Sequence, residues 1–301
     1  MSIRVSYSPH YYAPIPETHA FPMRKFEGLY AYLTQKEIIP LHNVIEPGMI
    51  DLSTLRGVHT ENYTNEILFG FTDKLRARRL GLPWSMGLMK RSFHACQGTL
   101  NAALMALQDG ISGNLAGGTH HSFPDHGEGF CVFNDVAIAI NYLKASLWIK
   151  KALIIDCDVH QGNGTASIFS GDDSVYTFSI HGEKNYPFRK QPSTFDIGLA
   201  DNLEDSEYLK TLEIALSKIS QEFEPDIIFY LGGIDVLKGD RFGRLALSLQ
   251  GLRRRDETVI KFATEQHVPL VLLLSGGYAP TVNVTVIAHA QQFEAAVQAL
   301  R

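Results

Sequence analysis

Four stretches of this chain are apolar almost without interruption, and each stops at a glycine or a polar residue. They run from Ala152 to Ile155 before Asp156, from Val175 to Ile180 before His181, from Ile227 to Leu231 before Gly232-Gly233, and from Leu270 to Leu274 before Ser275-Gly276-Gly277. A strand with one face in water alternates polar and apolar residues; a continuous apolar run marks a strand covered on both faces. The run from Ile111 to Ala116, leading into Gly117-Gly118, is a weaker case because Ser112, Gly113 and Asn114 interrupt it. Ser2 to Tyr7 reads as a first strand. Residues 93–108, 135–145, 207–223, 252–265 and 286–300 carry apolar residues at helical spacing, and the first of these closes on Asp109-Gly110, a helix stop. Alternating strands and helices predict an α/β fold, a single three-layer domain over residues 1–301 with a mainly parallel central sheet. The segments 9–24, 122–130 and 181–198 read as long loops, which in compact α/β domains often carry function.

Composition narrows the function classes. The chain has 301 residues, 45% of them hydrophobic, and its 27 Lys+Arg against 32 Asp+Glu give a net charge of −5, so no global basic field draws it to nucleic acid. The run Arg253-Arg254-Arg255 reads as the solvated face of a helix. Three cysteines, Cys96, Cys131 and Cys157, make no Cys-x-x-Cys pair and no disulfide framework, which points to a reducing compartment. Cys157 alternates away from its neighbours Asp156 and Asp158 and reads as buried packing. No run reaches membrane-spanning length and the first residues lack a signal-peptide core, so a soluble cytoplasmic protein is expected.

The unusual residues fall at the carboxyl ends of the predicted strands, where open parallel sheets bind ligands. His120 and His121 follow Gly117-Gly118. Asp158 and His160 follow the strand that ends at Asp156, Asp235 follows Gly232-Gly233, and Tyr278 follows Gly276-Gly277. The two side chains of Asp158-Val-His160 point to one side in extended backbone, and carboxylate plus imidazole suits a zinc-like ion. Asp235 is the candidate third ligand, and Asp240 a loop organiser. His120 and His121 read as proton-transfer groups, with Asp156 and Asn163 as the partners that fix their tautomers. Tyr278 reads as an oxyanion donor brought close by its glycines. Gly129, Phe130, Gly276 and Gly277 are candidate substrate contacts, Phe130 as the wall of a narrow apolar channel.

These segments resemble the zinc-dependent histone deacetylase family of the arginase/deacetylase superfamily. The matching motifs are Gly117-Gly-Thr-His120-His121, Gly127-Glu-Gly-Phe130-Cys-Val-Phe-Asn134-Asp135, Asp156-Cys-Asp158-Val-His160-Gln-Gly-Asn163-Gly164, Gly233-Ile-Asp235-Val-Leu-Lys-Gly-Asp240 and Ser275-Gly-Gly-Tyr278. Pro14 to Met23 and Gly239 to Ser248 look most like class IV enzymes and their bacterial relatives. The resemblance implies an arginase/deacetylase-like fold and hydrolysis of the amide of Nε-acyl-lysine in proteins or peptides. It implies one zinc ion per chain on Asp158, His160 and Asp235, with His121 as general base and then acid, His120 as its electrostatic partner, and Tyr278 as oxyanion donor. It also implies a structural potassium ion on backbone carbonyls of Asp156, Asp158 and His160, helped by Ser179. Many relatives carry Asp where this chain has Asn163, and the loop aspartate with which some relatives grip the substrate backbone is missing.

The class IV likeness further implies tolerance of long acyl chains, with Tyr11, Tyr12, Phe21, Tyr186 and Phe188 either lining an apolar groove or simply packing the loops. The alternative enzyme is a small-molecule amidohydrolase such as an acetylpolyamine deacetylase. A two-manganese ureohydrolase needs further carboxylates, and Asp235 is followed instead by Val236 and Leu237. A non-catalytic binding module is disfavoured because Tyr278 and both histidines are present.

Overall fold

The structure, a computed structural model, describes residues 3–70 and 73–300. Its strands are β1 (Arg4–Ser6), β2 (Val44–Ile45), β3 (Ile111–Asn114), β4 (Ala152–Asp156), β5 (Val175–Gly182), β6 (Phe195–Leu199), β7 (Ile227–Leu231) and β8 (Leu270–Leu273). They form one sheet in the order β2-β1-β3-β8-β7-β4-β5-β6, and every pairing is parallel. The helices are α1 (Lys25–Gln35), α2 (Leu52–Arg56), α3 (Glu61–Phe69), α4 (Lys74–Leu80), α5 (Met86–Asp109), α6 (Asp135–Ala145), α7 (Asn163–Ile168), α8 (Asp205–Glu222), α9 (Leu249–Glu265) and α10 (Val282–Ala299).

Every residue of β4, β5, β7 and β8 is buried, which requires cover on both faces of the sheet. α8, α9, α10 and α1 pack in series, while α5 lies on β3 and β8 and against α6. The expected strands are all present, except that Ser2 lies outside the described residues. Two strands were hidden in the sequence. β6 falls partly inside the segment expected to be a loop, because this edge strand is only half-buried and alternates. β2 is two residues long. Helices begin earlier than their apolar spacing suggests because caps extend them. Ser85, Ser248 and Thr281 each accept a backbone N–H from the first turn, starting α5, α9 and α10 at residues 86, 249 and 282.

The arginine run departs from expectation. Arg254 is exposed and Arg253 pairs with Glu257 and Glu294, but Arg255 is fully buried. Its guanidinium donates to the carbonyl oxygens of Cys157 and Gly233 and pairs with buried Asp256 at 2.8 Å, which also accepts from Tyr230 Oη at 2.6 Å. A buried charge survives only when paired and fully hydrogen-bonded, and both conditions are met here. Cys157 itself is buried packing, as expected.

Arg255→Met keeps most of the stem volume but leaves Asp256 without its counter-charge and two carbonyls without their donor. Urea unfolding should show a loss of about 3–5 kcal/mol; a loss below about 1 kcal/mol would show that the buried pair is not what holds these loops.

Candidate metal centre and catalytic site

Because all strands are parallel, the loops after β3, β4, β7 and β8 share one edge of the sheet, and the candidate residues converge there. Asp158, His160 and Asp235 are buried, and their ligand atoms all lie within 4.8 Å of one another. Asp158 is held by four contacts. Its Oδ2 accepts from Ser275 Oγ at 2.7 Å and Gly276 N at 2.6 Å, and its Oδ1 from His160 N at 2.9 Å and Nδ1 at 3.1 Å. Asp235 Oδ1 accepts from Val159 N at 2.9 Å, whereas its Oδ2 has no hydrogen bond, although His160 Nδ1 is 3.2 Å away.

The loops come this close because of Gly276. A Cβ there would fall 2.0 Å from Asp235 Oδ2 and 2.7 Å from Asp158 Oδ2. Burial, followed by the charge of Asp158, pushes the Asp235 carboxyl up to about 7. His160 is pushed to about 10: burial opposes its charge, but Asp158 and Asp235 outweigh it. Two carboxylates and an imidazole gathered this closely, with one carboxylate oxygen unpartnered, fit a divalent metal.

The paired histidines differ in environment. Asp135 fixes the loop that carries them, accepting from Gly118 N at 3.0 Å and Thr119 N at 2.8 Å. His120 Nδ1 is 2.6 Å from Asp156 Oδ2, and His121 Nδ1 is 2.7 Å from Asn163 Oδ1. Burial works against charge on His120, yet Asp156 and Asp158 raise it to about 9. Burial and the neighbouring His120 and His160 hold His121 well below its usual range. The two imidazoles are thus driven in opposite directions, His120 towards the charged form and His121 towards the neutral one, a split that would suit an electrostatic partner and a general base.

Glu128 was not anticipated from the sequence. Its Oε1 accepts from Asn163 Nδ2 at 2.6 Å, and its Oε2 from Arg79 Nε at 2.7 Å. A carboxylate can only accept here, so the amide nitrogen of Asn163 must face Glu128 and its oxygen must face His121. His121 therefore carries its proton on Nδ1 and presents Nε2 as an acceptor. Lys25, also unanticipated, is buried and donates to Ser275 O at 3.1 Å, steadying the loop that leads to Tyr278.

Tyr278 N donates to Asp240 Oδ2 at 2.7 Å, while Asp240 Oδ1 accepts from Phe242 N and Gly243 N, so Asp240 is the loop organiser expected. Burial, then the charges of Asp235 and Asp158, hold the Tyr278 phenol well above its usual range, and it stays a donor. Gly129 and Phe130 both take left-handed backbone, with φ of 56° and 68°, and a Cβ on Gly129 would meet His121 Cδ2 at 2.6 Å.

That turn places the Phe130 ring in the wall of a mouth cavity of about 420 Å³, opposite Tyr186, whose ring is edge-on to His121 at 5.0 Å. Behind it lies an inner cavity of about 40 Å³. His121, His160, Gly129, Phe130 and Tyr278 line both, and Gly276 lines the inner one. Gly277 lines neither; it faces Ile234 and His289. Of the proposed groove, Tyr186 and Phe188 line the mouth, whereas Tyr11 is buried and bonded to Asn114 Oδ1 at 2.7 Å. Tyr12 borders another cavity of about 630 Å³, which shares Phe21 and Tyr278 with the lining of the inner one.

The histone deacetylase domain matches this chain over residues 19–293. The chain belongs to the histone deacetylase family. Histone deacetylase 2 of Arabidopsis thaliana is 30% identical, aligned over 92% of this chain and 74% of its own length. An uncharacterized protein of Picosynechococcus sp. is 40% identical over 98% of this chain and 99% of its own. The acetoin utilization protein AcuC of Staphylococcus aureus is 26% identical over 87% and 72%. The crystal structure of an HDAC homolog from Aquifex aeolicus superposes with a TM-score of 0.82 at 23% identity, covering 97% of this chain and 84% of that one, and so shares the fold. Hydrolytic deacetylation is the activity of this histone deacetylase family member.

The geometry also explains Asn163. An Asp in its place would set a second carboxylate against Glu128, where the present contact is 2.6 Å, and the two would have to share a proton. Asn163→Asp combined with Glu128→Gln restores a donor and places a charge beside His121. That charge raises the His121 pKa, so the base is protonated sooner as pH falls. The acidic limb of kcat/KM should move up by about one unit or more in the double variant, and less in Asn163→Asp alone. Equal shifts in both would show that Glu128 does not govern this position.

Proposed function

We propose that this chain is a single-domain, zinc-dependent deacetylase that removes short acyl groups from Nε-acyl-lysine in protein or peptide segments. The observation that carries the reading is the meeting, at one constriction, of the Asp158-His160-Asp235 cluster, neutral His121 and the protonated Tyr278. Asp158, His160 and Asp235 hold the ion, which when bound supplies Lewis-acid polarisation of the scissile carbonyl. His121 Nε2 takes a proton from water as its oxygen bonds to the acyl carbon. Tyr278 Oη donates to the oxyanion that develops. His121 then returns the proton to the lysine nitrogen as the C–N bond breaks, giving a carboxylic acid and free lysine. His120, held against Asp156, tunes His121 electrostatically. Ser179 pairs in register with Asp156 across β4 and β5 and is buried, which supports the structural potassium ion that the resemblance implies.

The polypeptide must remain outside, so the lysine stem occupies the mouth and the acyl tail points into the inner cavity. At about 40 Å³ that cavity has room for about three water-sized groups. This supports an acetyl-sized tail, because a long chain would need space now occupied by side chains that line the cavity, Phe21 among them.

On one peptide sequence, kcat/KM should be highest for acetyl-lysine and fall towards octanoyl-lysine; chelation should abolish turnover and zinc restore it. An octanoyl optimum would show that Phe21 opens readily, and a requirement for two manganese ions would favour a ureohydrolase-like site. Tyr278→Phe should lower kcat by about 10²–10³ with little change in KM. A fully active Phe variant would reduce Tyr278 to packing.

A further inference from the structure

The rim of the mouth cavity carries a charge pattern unlike that of the rest of the chain. The protein is acidic overall, at −5, yet Arg79, Lys184 and Arg244 line this opening and, among the described residues, no carboxylate does. The acidic partners of these cations lie behind them. Glu128, which receives Arg79, has a side chain only 5% exposed, against 54% for Arg79. Asp201, 26% exposed, serves both remaining cations, with Arg244 Nη1 at 3.3 Å and Lys184 Nζ at 4.0 Å. Arg244 and Lys184 are 54% and 72% exposed. Glu183, next to Lys184, packs over Gly198 on β6 and does not line the opening. Three cations thus line the opening while Glu128, Asp201 and exposed Glu183 do not, leaving the lining itself net positive.

Such a rim disfavours an acetylpolyamine, whose remaining ammonium groups would lie in the mouth. Resting on the deacetylase reading above, we propose that the rim selects acyl-lysine segments whose neighbouring residues are acidic, Arg79, Lys184 and Arg244 pairing with glutamate or aspartate side chains on either side of the modified lysine. A carboxylate at the end of the acyl group is the other source of the same charge, but the acyl tail points inward, away from the rim.

The test uses the zinc-loaded full chain and four peptides. Three are acetyl-lysine peptides identical except for Glu, Gln or Lys at the flanking positions; the fourth carries succinyl-lysine with Gln flanks. At low salt kcat/KM should fall in the order Glu, Gln, Lys, with Glu about tenfold or more above Lys, and the spread should shrink in about 0.5 M salt as screening shortens the reach of the rim. Lys184→Glu/Arg244→Glu should reverse the order. Flanking variants within about twofold of one another, or an order that survives charge reversal, would overturn the proposal while leaving the deacetylase reading intact. So would a succinyl peptide that outruns its acetyl counterpart and loses that advantage in the charge-reversed variant. Hydrolysis of acetylspermidine with no turnover of any peptide would overturn both.

Discussion

One guanidinium underlies the geometry of the candidate metal centre. Arg255, on α9, donates to the carbonyls of Cys157 and Gly233, which lie one and two residues before the candidate ligands Asp158 and Asp235. Strand pairing between β4 and β7 brings the two loops side by side but ends at Asp156 and Leu231. Beyond that point a shared buried donor keeps them in step. Asp256, which pairs with the guanidinium and also accepts from Tyr230, makes the burial of that donor tolerable.

The same economy governs the paired histidines. Adjacent residues with the same side chain are driven in opposite directions: Asp156 and Asp158 favour charge on His120, whereas burial and the neighbouring His120 and His160 disfavour it on His121, whose Nδ1 meets the neutral amide of Asn163. Asn163 is not simply a weaker aspartate. Glu128 fixes which way its amide faces, and that fixes the His121 tautomer, so the negative charge is kept one hydrogen bond further from the base. Arg79 then links this chain of contacts to the cationic rim, since the residue that partners Glu128 also faces incoming substrate.

Much of the site was legible in sequence because its residues occupy strand ends. Continuous apolar runs located β4, β5, β7 and β8, and in a parallel sheet their carboxyl ends must share an edge, so Asp158, His160, Asp235 and Tyr278 had to converge. The partners of His120 and His121 were legible for the same reason, Asp156 closing β4 and Asn163 opening α7 just beyond it. Half-buried or very short elements, β6 and β2, left no such signal, nor did helix starts set by a single capping side chain.

What the sequence determined by itself is the sheet, the edge where chemistry occurs and the residue types gathered there, because these follow from periodicity and from motifs local in the chain. What only the tertiary structure decided depends on contacts between distant segments. Arg255 looks like one charge in a solvated run until β4 and β7 are seen above it. Glu128 is an ordinary loop glutamate until α7 brings Asn163 against it. The inner cavity takes part of its wall from Phe21 and Phe26, far in sequence from Asp158, His160 and Asp235. Burial and pairing across such separations arise from packing, and local sequence pattern carries no record of them.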